Sequence, residues 1–120
     1  LLVEDSADNR VLVSRMLKKL GAVVHEADGA KSARAILQTF QPDLIISDIG
    51  MPDENGLEFI RQLRRSPVAA QTPAIALTAY VRSEEISEAL EAGFQAHVSK
   101  PVTSSELLEE IEKVLQVATR

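Results

Sequence analysis

Short apolar runs alternate five times with segments of helical periodicity along this 120-residue chain, and few architectures satisfy such a pattern. The runs cover residues 1–4, 22–27, 44–48, 74–78 and 96–98. Each is too short for a typical helix and nearly continuous in apolar character, which marks a strand buried on both faces. Between them, apolar residues recur every three or four positions. The first stripe is Val13, Met16, Leu17 and Leu20, with Ser6 or Asp8 as N-cap, and the second is Ala33, Ile36, Leu37 and Phe40. The third, Leu57, Ile60 and Leu63, follows an Asn55-Gly56 turn, and the fourth, Ile86, Ala89 and Leu90, is stopped by Gly93. The fifth is Leu107, Leu108, Ile111, Val114 and Leu115, capped by Thr103 or Ser104. Gly21 and Gly93 stand where helices end, and Pro42 and Pro73 stand ahead of strands.

A strict strand–helix repeat with apolar strands implies an α/β domain whose parallel sheet is covered on both faces. Right-handed crossovers leave few topologies for five strands. The leading one is a doubly wound sheet of order 2-1-3-4-5, with strand 3 central. The length suits one domain with a true core, and with aromatics at 3% that core is aliphatic. The chain has no cysteine, which excludes disulfides and thiolate metal sites and permits a cytoplasmic setting. No apolar stretch approaches the length of a membrane span. The net charge of −5 argues against nonspecific nucleic-acid binding, which needs a basic face. Beginning without Met inside an apolar strand, residues 1–120 read as one domain, either excised from a longer protein or lacking terminal residues.

Polar groups close four of the five runs. Glu4 and Asp5 end the first, Asp48 the third, Thr78 the fourth, and Lys100-Pro101 follows the fifth. In an open parallel sheet, ligands bind beyond the carboxyl ends of the strands, where the strand order reverses. For the order 2-1-3-4-5 that point lies between strands 1 and 3, so Glu4, Asp5 and Asp48 become close neighbours. Two charges about 4 Å apart repel by about 4 kcal/mol at an effective dielectric near 20, so three acids together demand a cation. An all-oxygen site suits Mg²⁺, or Mn²⁺, rather than Zn²⁺. Asp5, Asp48 and the backbone carbonyl of Gly50 are the expected direct donors, with Glu4 acting through water. Lys100 starts two strands from Asp48, and its flexible stem can carry an ammonium to a phosphoryl oxygen. Thr78 can donate its hydroxyl to another. The chemistry that fits is attack of Asp48 on phosphorus to give an aspartyl phosphate, with Mg²⁺ and Lys100 offsetting charge in the transition state. Each residue alone reads more blandly: Asp48 as a cap, Thr78 as a strand-end hydroxyl, Lys100 as a solvated lysine. Only the set is specific.

The strings Leu1-Leu2-Val3-Glu4-Asp5, Ser47-Asp48-Ile49-Gly50-Met51-Pro52, Leu77-Thr78-Ala79 and Ser99-Lys100-Pro101 resemble, in order and spacing, the receiver domain of two-component response regulators. The resemblance covers essentially the whole chain. It implies a flavodoxin-like (βα)5 fold and a signalling domain rather than an enzyme acting on other substrates. It further implies that Asp48 takes its phosphoryl group from a histidine kinase or a histidine phosphotransfer domain. Glu4 and Asp5 would bind Mg²⁺, Thr78 and Lys100 would read the phosphoryl group, and the Lys100-Pro101 bond would be cis. An output domain or partner protein would dock on the face made by the fourth helix, fifth strand and fifth helix. Two positions depart from the pattern. Glu4 stands where the family often has aspartate, and His97 stands where it commonly has Tyr or Phe as a second switch residue. His97 as a switch and as a partly exposed strand residue are equally open at this point. His25 is expected to be structural or solvent-facing, and Asp53 and Glu54 solvated. Leu77-Thr78-Ala79-Tyr80 resembles receivers joined to hybrid histidine kinases.

Two other functions compete. A phosphorylation-independent receiver-like interaction domain would not need the intact acid pair, Asp48 and Lys100. A Mg²⁺-dependent aspartyl-phosphate phosphatase would want a second acid two residues after its nucleophile, where this chain has Gly50.

Overall fold

The computed structural model describes residues 1–51, 54–67, 69–79 and 83–119. Pro52, Asp53 and Tyr80, named above, lie outside them. Five strands and five helices alternate: β1 (Leu2–Val3), α1 (Ala7–Lys19), β2 (Glu26–Ala27), α2 (Ala30–Leu37), β3 (Ile45–Asp48), α3 (Gly56–Arg65), β4 (Ala74–Thr78), α4 (Ser83–Ala92), β5 (Ala96–Ser99) and α5 (Ser104–Thr119). All strand pairs are parallel, in the order β2-β1-β3-β4-β5. The doubly wound fold expected from the sequence is the fold observed.

Side chains alternate across the sheet and feed two cores. Val3, Ile45, Ala74 and Ala76 pack with Phe59, Ile60 and Leu63 of α3 and with Ala33, Ala89 and Ala92 of α2 and α4. Leu2, Ile46, Ile75, Leu77 and Val98 pack on the other face with Val13 and Leu17 of α1 and Leu107 and Val114 of α5. The alanines on the first face let α2 and α4 approach the sheet closely.

Helix ends follow the local chemistry. The Ser6 side chain accepts a hydrogen bond from the Asn9 amide to cap α1, and Asn55 does the same for Glu58 at α3. Gly21 and Gly93 have φ of 92° and 131°, a region open chiefly to glycine, and sit just beyond α1 and α4. Gly56 is required for another reason: a Cβ there would lie 2.3 Å from the Asp48 carbonyl oxygen, so the start of α3 seats directly against the end of β3.

Several expectations need correction. β1 is two residues long, and β2 is confined to Glu26–Ala27 rather than 22–27. Val23 is 83% exposed there, and a strand edge facing water lacks the partner that would extend the ladder. α2 stops at Leu37, so Phe40 lies outside it and stacks on His25 instead, with ring centroids 3.8 Å apart. Leu20, Leu90 and Leu108, expected on buried stripes, are partly exposed, because the stripes are narrower than the apolar sequence pattern. Phe59, fully buried on α3, was not on the expected stripe.

Candidate functional site

The pairing of β1 with β3 brings Val3 beside Ser47, so the next residues on each strand emerge together at one rim of the sheet. Glu4, Asp5 and Asp48 meet there, with one carboxylate oxygen from each within 4.8 Å of the others. Their environments differ. Glu4 is fully buried and Asp48 nearly so, whereas Asp5 is exposed. The loop after β5 returns to the same rim through the cis Lys100-Pro101 bond. From there the Lys100 ammonium reaches both buried acids, at 3.2 Å from Asp48 Oδ2 and 3.3 Å from each Glu4 oxygen.

Three contacts hold this arrangement. Asn9 Nδ2 donates to Glu4 Oε1 at 3.4 Å, and Arg10 donates to the Glu4 carbonyl at 2.9 Å, so α1 grips the end of β1. The Gly50 amide donates to Asp48 Oδ1 at 3.3 Å, which orients the carboxylate. Burial, reinforced by the charge of Glu4 and a hydrogen bond with Asp5, pushes Asp48 up to about 6 in spite of Lys100. Burial alone would lower the Lys100 ammonium, but Asp48 and Glu4 outweigh it and raise it. One lysine therefore does not offset three acids, and the site retains surplus negative charge suited to a divalent cation held by oxygens.

Beside the acids opens a cleft of about 360 Å³ lined by Asp48, Gly50, Thr78, Ala79 and Lys100, and on its α4 side by Glu85 and Glu88. Thr78 is buried at the end of β4. Exposed Ala79, with its single methyl, leaves the mouth open.

The residues 4, 5, 48, 78 and 100 expected to converge are thus brought together, and Ala79 lines the same cleft. His97 is not among the residues lining the cleft; it lies half-buried on β5, opposite Ala76 in register. His25 stacks on Phe40 and takes no part in the site. Glu54 is not simply solvated, since it pairs with Arg34 on α2. Two contributors were missed by sequence reasoning. Asn9, on the first turn of α1, is polar at a position open to a capping or solvent role. Glu85 lies on α4, and only the packing of that helix against α3 and β5 reveals that it faces the cleft.

Comparison with known proteins agrees with this geometry. Residues 1–112 match the family model of the response regulator receiver domain. Hybrid signal transduction histidine kinase D of Dictyostelium discoideum is 40% identical over 97% of this chain, which spans 8% of that protein. Chemotaxis protein CheY4 of Vibrio cholerae superposes with a TM-score of 0.89 at 32% identity, covering 94% of each chain. The receiver domain of sensor histidine kinase PA1611 of Pseudomonas aeruginosa, solved with magnesium coordinated in its active-site cleft, superposes with a TM-score of 0.87 at 27% identity, covering 96% of this chain and 94% of that one. Sequence motifs, strand order and the acid-lined rim therefore lead to one conclusion: the chain belongs to the response regulator receiver domain family and is a domain of two-component signalling.

Proposed function

We propose that this domain accepts a phosphoryl group on Asp48 from a phosphohistidine of a histidine kinase or phosphotransfer domain, in a Mg²⁺-dependent reaction. The observation that carries the reading is the convergence of Asp48, Glu4, Asp5 and Lys100 at one rim beside an open cleft. An Asp48 oxygen attacks phosphorus, the P–N bond breaks, and the electron pair leaves with the donor nitrogen. The Gly50 amide holds the carboxylate in orientation for attack.

Asp5, Asp48 and the Gly50 carbonyl would hold Mg²⁺, which when bound would supply positive charge against the transferring group. Glu4 takes an indirect role: buried, and paired through both oxygens with Lys100, it aims the ammonium at the cleft. Lys100 then exchanges Asp48 Oδ2 for a phosphoryl oxygen, and Thr78 donates its hydroxyl to another. These exchanges are the switch, passed to the face of α4, β5 and α5 where an output domain or partner docks. His97 lies on that face and stands in for a second switch residue. Residues 1–120 act in the cytoplasm as one phosphoacceptor unit, without enzymatic action on other substrates.

Intact mass spectrometry after incubation with Mg²⁺ and acetyl phosphate tests the reading. The expected product is a lasting gain of about 80 Da, one phosphoryl group, lost with chelator and in Asp48→Asn. Rapid donor hydrolysis without an adduct would favour a phosphatase. No reaction at all would leave an interaction domain.

A further inference from the structure

The wall of the cleft contributed by α4 carries negative charge. Glu85 and Glu88 sit one helical turn apart and line the same cleft as Asp48, Thr78 and Lys100. Glu88 is exposed and can turn to water, but Glu85 is half-buried. Its Oε2 is shielded from solvent and has no hydrogen-bond partner among the described residues. A carboxylate oxygen in that condition is costly unless the site supplies a partner or the group leaves. The ammonium nearest the cleft, Lys100, is engaged by Asp48 and Glu4.

We propose that Glu85, seconded by Glu88, is a like-charge gate on the phosphoryl cleft: it opposes entry of phosphoryl charge and is driven out, with the first turns of α4, once Asp48 is phosphorylated. The inference rests on the function proposed above and adds to it a residue that no receiver motif in this chain contains.

Phosphorylation places an extra charge of about −1.5 to −2 on the Asp48 side of the cleft. Like charges lining one partly desolvated cleft repel strongly enough to change a rate about tenfold. The repulsion acts unevenly on α4. Beyond its C-terminal end, Arg64 donates to the Gly93 carbonyl at 2.8 and 3.0 Å and to the Ala69 carbonyl at 2.9 Å, fastening that end to α3. Pushed at Glu85 and held at Gly93, the helix tilts rather than translates. Phosphoryl charge is thereby converted into motion of one face of the output surface.

The test measures the rate of phosphorylation by acetyl phosphate with saturating Mg²⁺, read by intact mass at low and high salt. The wild type is compared with Glu85→Gln and with Glu84→Gln, the latter removing an exposed charge one position away that does not line the cleft. Glu85→Gln is expected to be phosphorylated about tenfold faster at low salt, with the difference shrinking at high salt as screening removes the repulsion. Glu84→Gln is expected to match the wild type. Equal rates for Glu85→Gln and wild type at both salts would overturn the gate, as would an equal acceleration by Glu84→Gln, which would reduce the effect to net charge. Failure of the wild type to take up phosphoryl at all would instead overturn the function on which the gate rests.

Discussion

Lys100 already engages the acids proposed to hold a divalent cation. Its ammonium lies 3.2 Å from Asp48 Oδ2 and pairs also with Glu4, so it offsets part of the charge that a divalent cation would otherwise meet. An ammonium and a divalent cation held by the same acids would repel one another, which would make Lys100 a brake on metal affinity and, in the proposed reaction, a stabiliser of phosphoryl charge. Lys100→Met separates the two roles. Titration is expected to show Mg²⁺ bound several-fold more tightly than by the wild type, while accumulation of the phosphorylated form slows. Weaker Mg²⁺ binding by the variant would show that Lys100 acts mainly by holding the acids in place. Glu4 was legible as an acid of this site, yet its full burial beneath Lys100 was not. A Glu-Asp pair in sequence gives no sign of which side chain turns inward; here the inward one is the residue whose backbone still belongs to the sheet ladder, with its amide donating to the Ala27 carbonyl at 3.0 Å.

At the level of elements, the two helices beside the site are anchored in opposite ways. α3 is fixed at its start, where Asn55 caps it and Gly56 presses on the Asp48 carbonyl. Gly56→Ala is expected to lower stability by about 1–3 kcal/mol, measured by denaturant unfolding, and to slow phosphorylation because the Asp48 backbone must shift. A silent substitution would mean the contact relaxes without cost. α4 is fixed at its far end by Arg64, whereas the end near the cleft carries Glu85. Hydrogen exchange is expected to rise in the first turns of α4 on phosphorylation and to stay low around Gly93. In Arg64→Ala that contrast should vanish. The contrast between these helices explains how legible each element was. Strands β3 and β4 read directly from the sequence because both faces are buried and every residue is constrained. β2, at the sheet edge, was overread because apolar residues 22–24 lie beyond its short ladder. Phe59 escaped the expected stripe, although it is fully buried, because α3 packs through a broader face than three positions suggest. The orientation of Glu85 depends on how α4 is rotated against the sheet, which no local pattern specifies.

For the molecule as a whole, the site weakens the fold that displays it. Asp48 titrates near 6 in the folded domain, above the ordinary carboxylate value of 3.8, because burial and Glu4 disfavour its charge. A raised folded value means that the native state holds a proton more tightly than the unfolded chain does. Raising the pH through that window therefore removes stability rather than adding it. Below about pH 4 Asp48 is neutral in both states and costs nothing; above about pH 6 its ionisation costs the metal-free domain about 2–3 kcal/mol. Asp48→Asn removes that cost while leaving Lys100 its pairing with Glu4. The metal-free variant is expected to melt several degrees above the wild type at pH 7 and to converge with it near pH 4. Mg²⁺ bound only by the folded state would offset the same repulsion. At a hundredfold excess over its dissociation constant it adds about 2.7 kcal/mol, so the wild-type melting temperature should climb toward that of the variant, which should barely respond. Protons compete with the ion for Asp48, so the Mg²⁺-dependent rise should fade as the pH drops below about 6. Thermal melts across pH, with Mg²⁺ or with chelator, measure all of this on two proteins. An Asp48→Asn domain less stable than the wild type at neutral pH without metal would show that Lys100 already neutralises the site, and the electrostatic case for a bound divalent cation would fall with it.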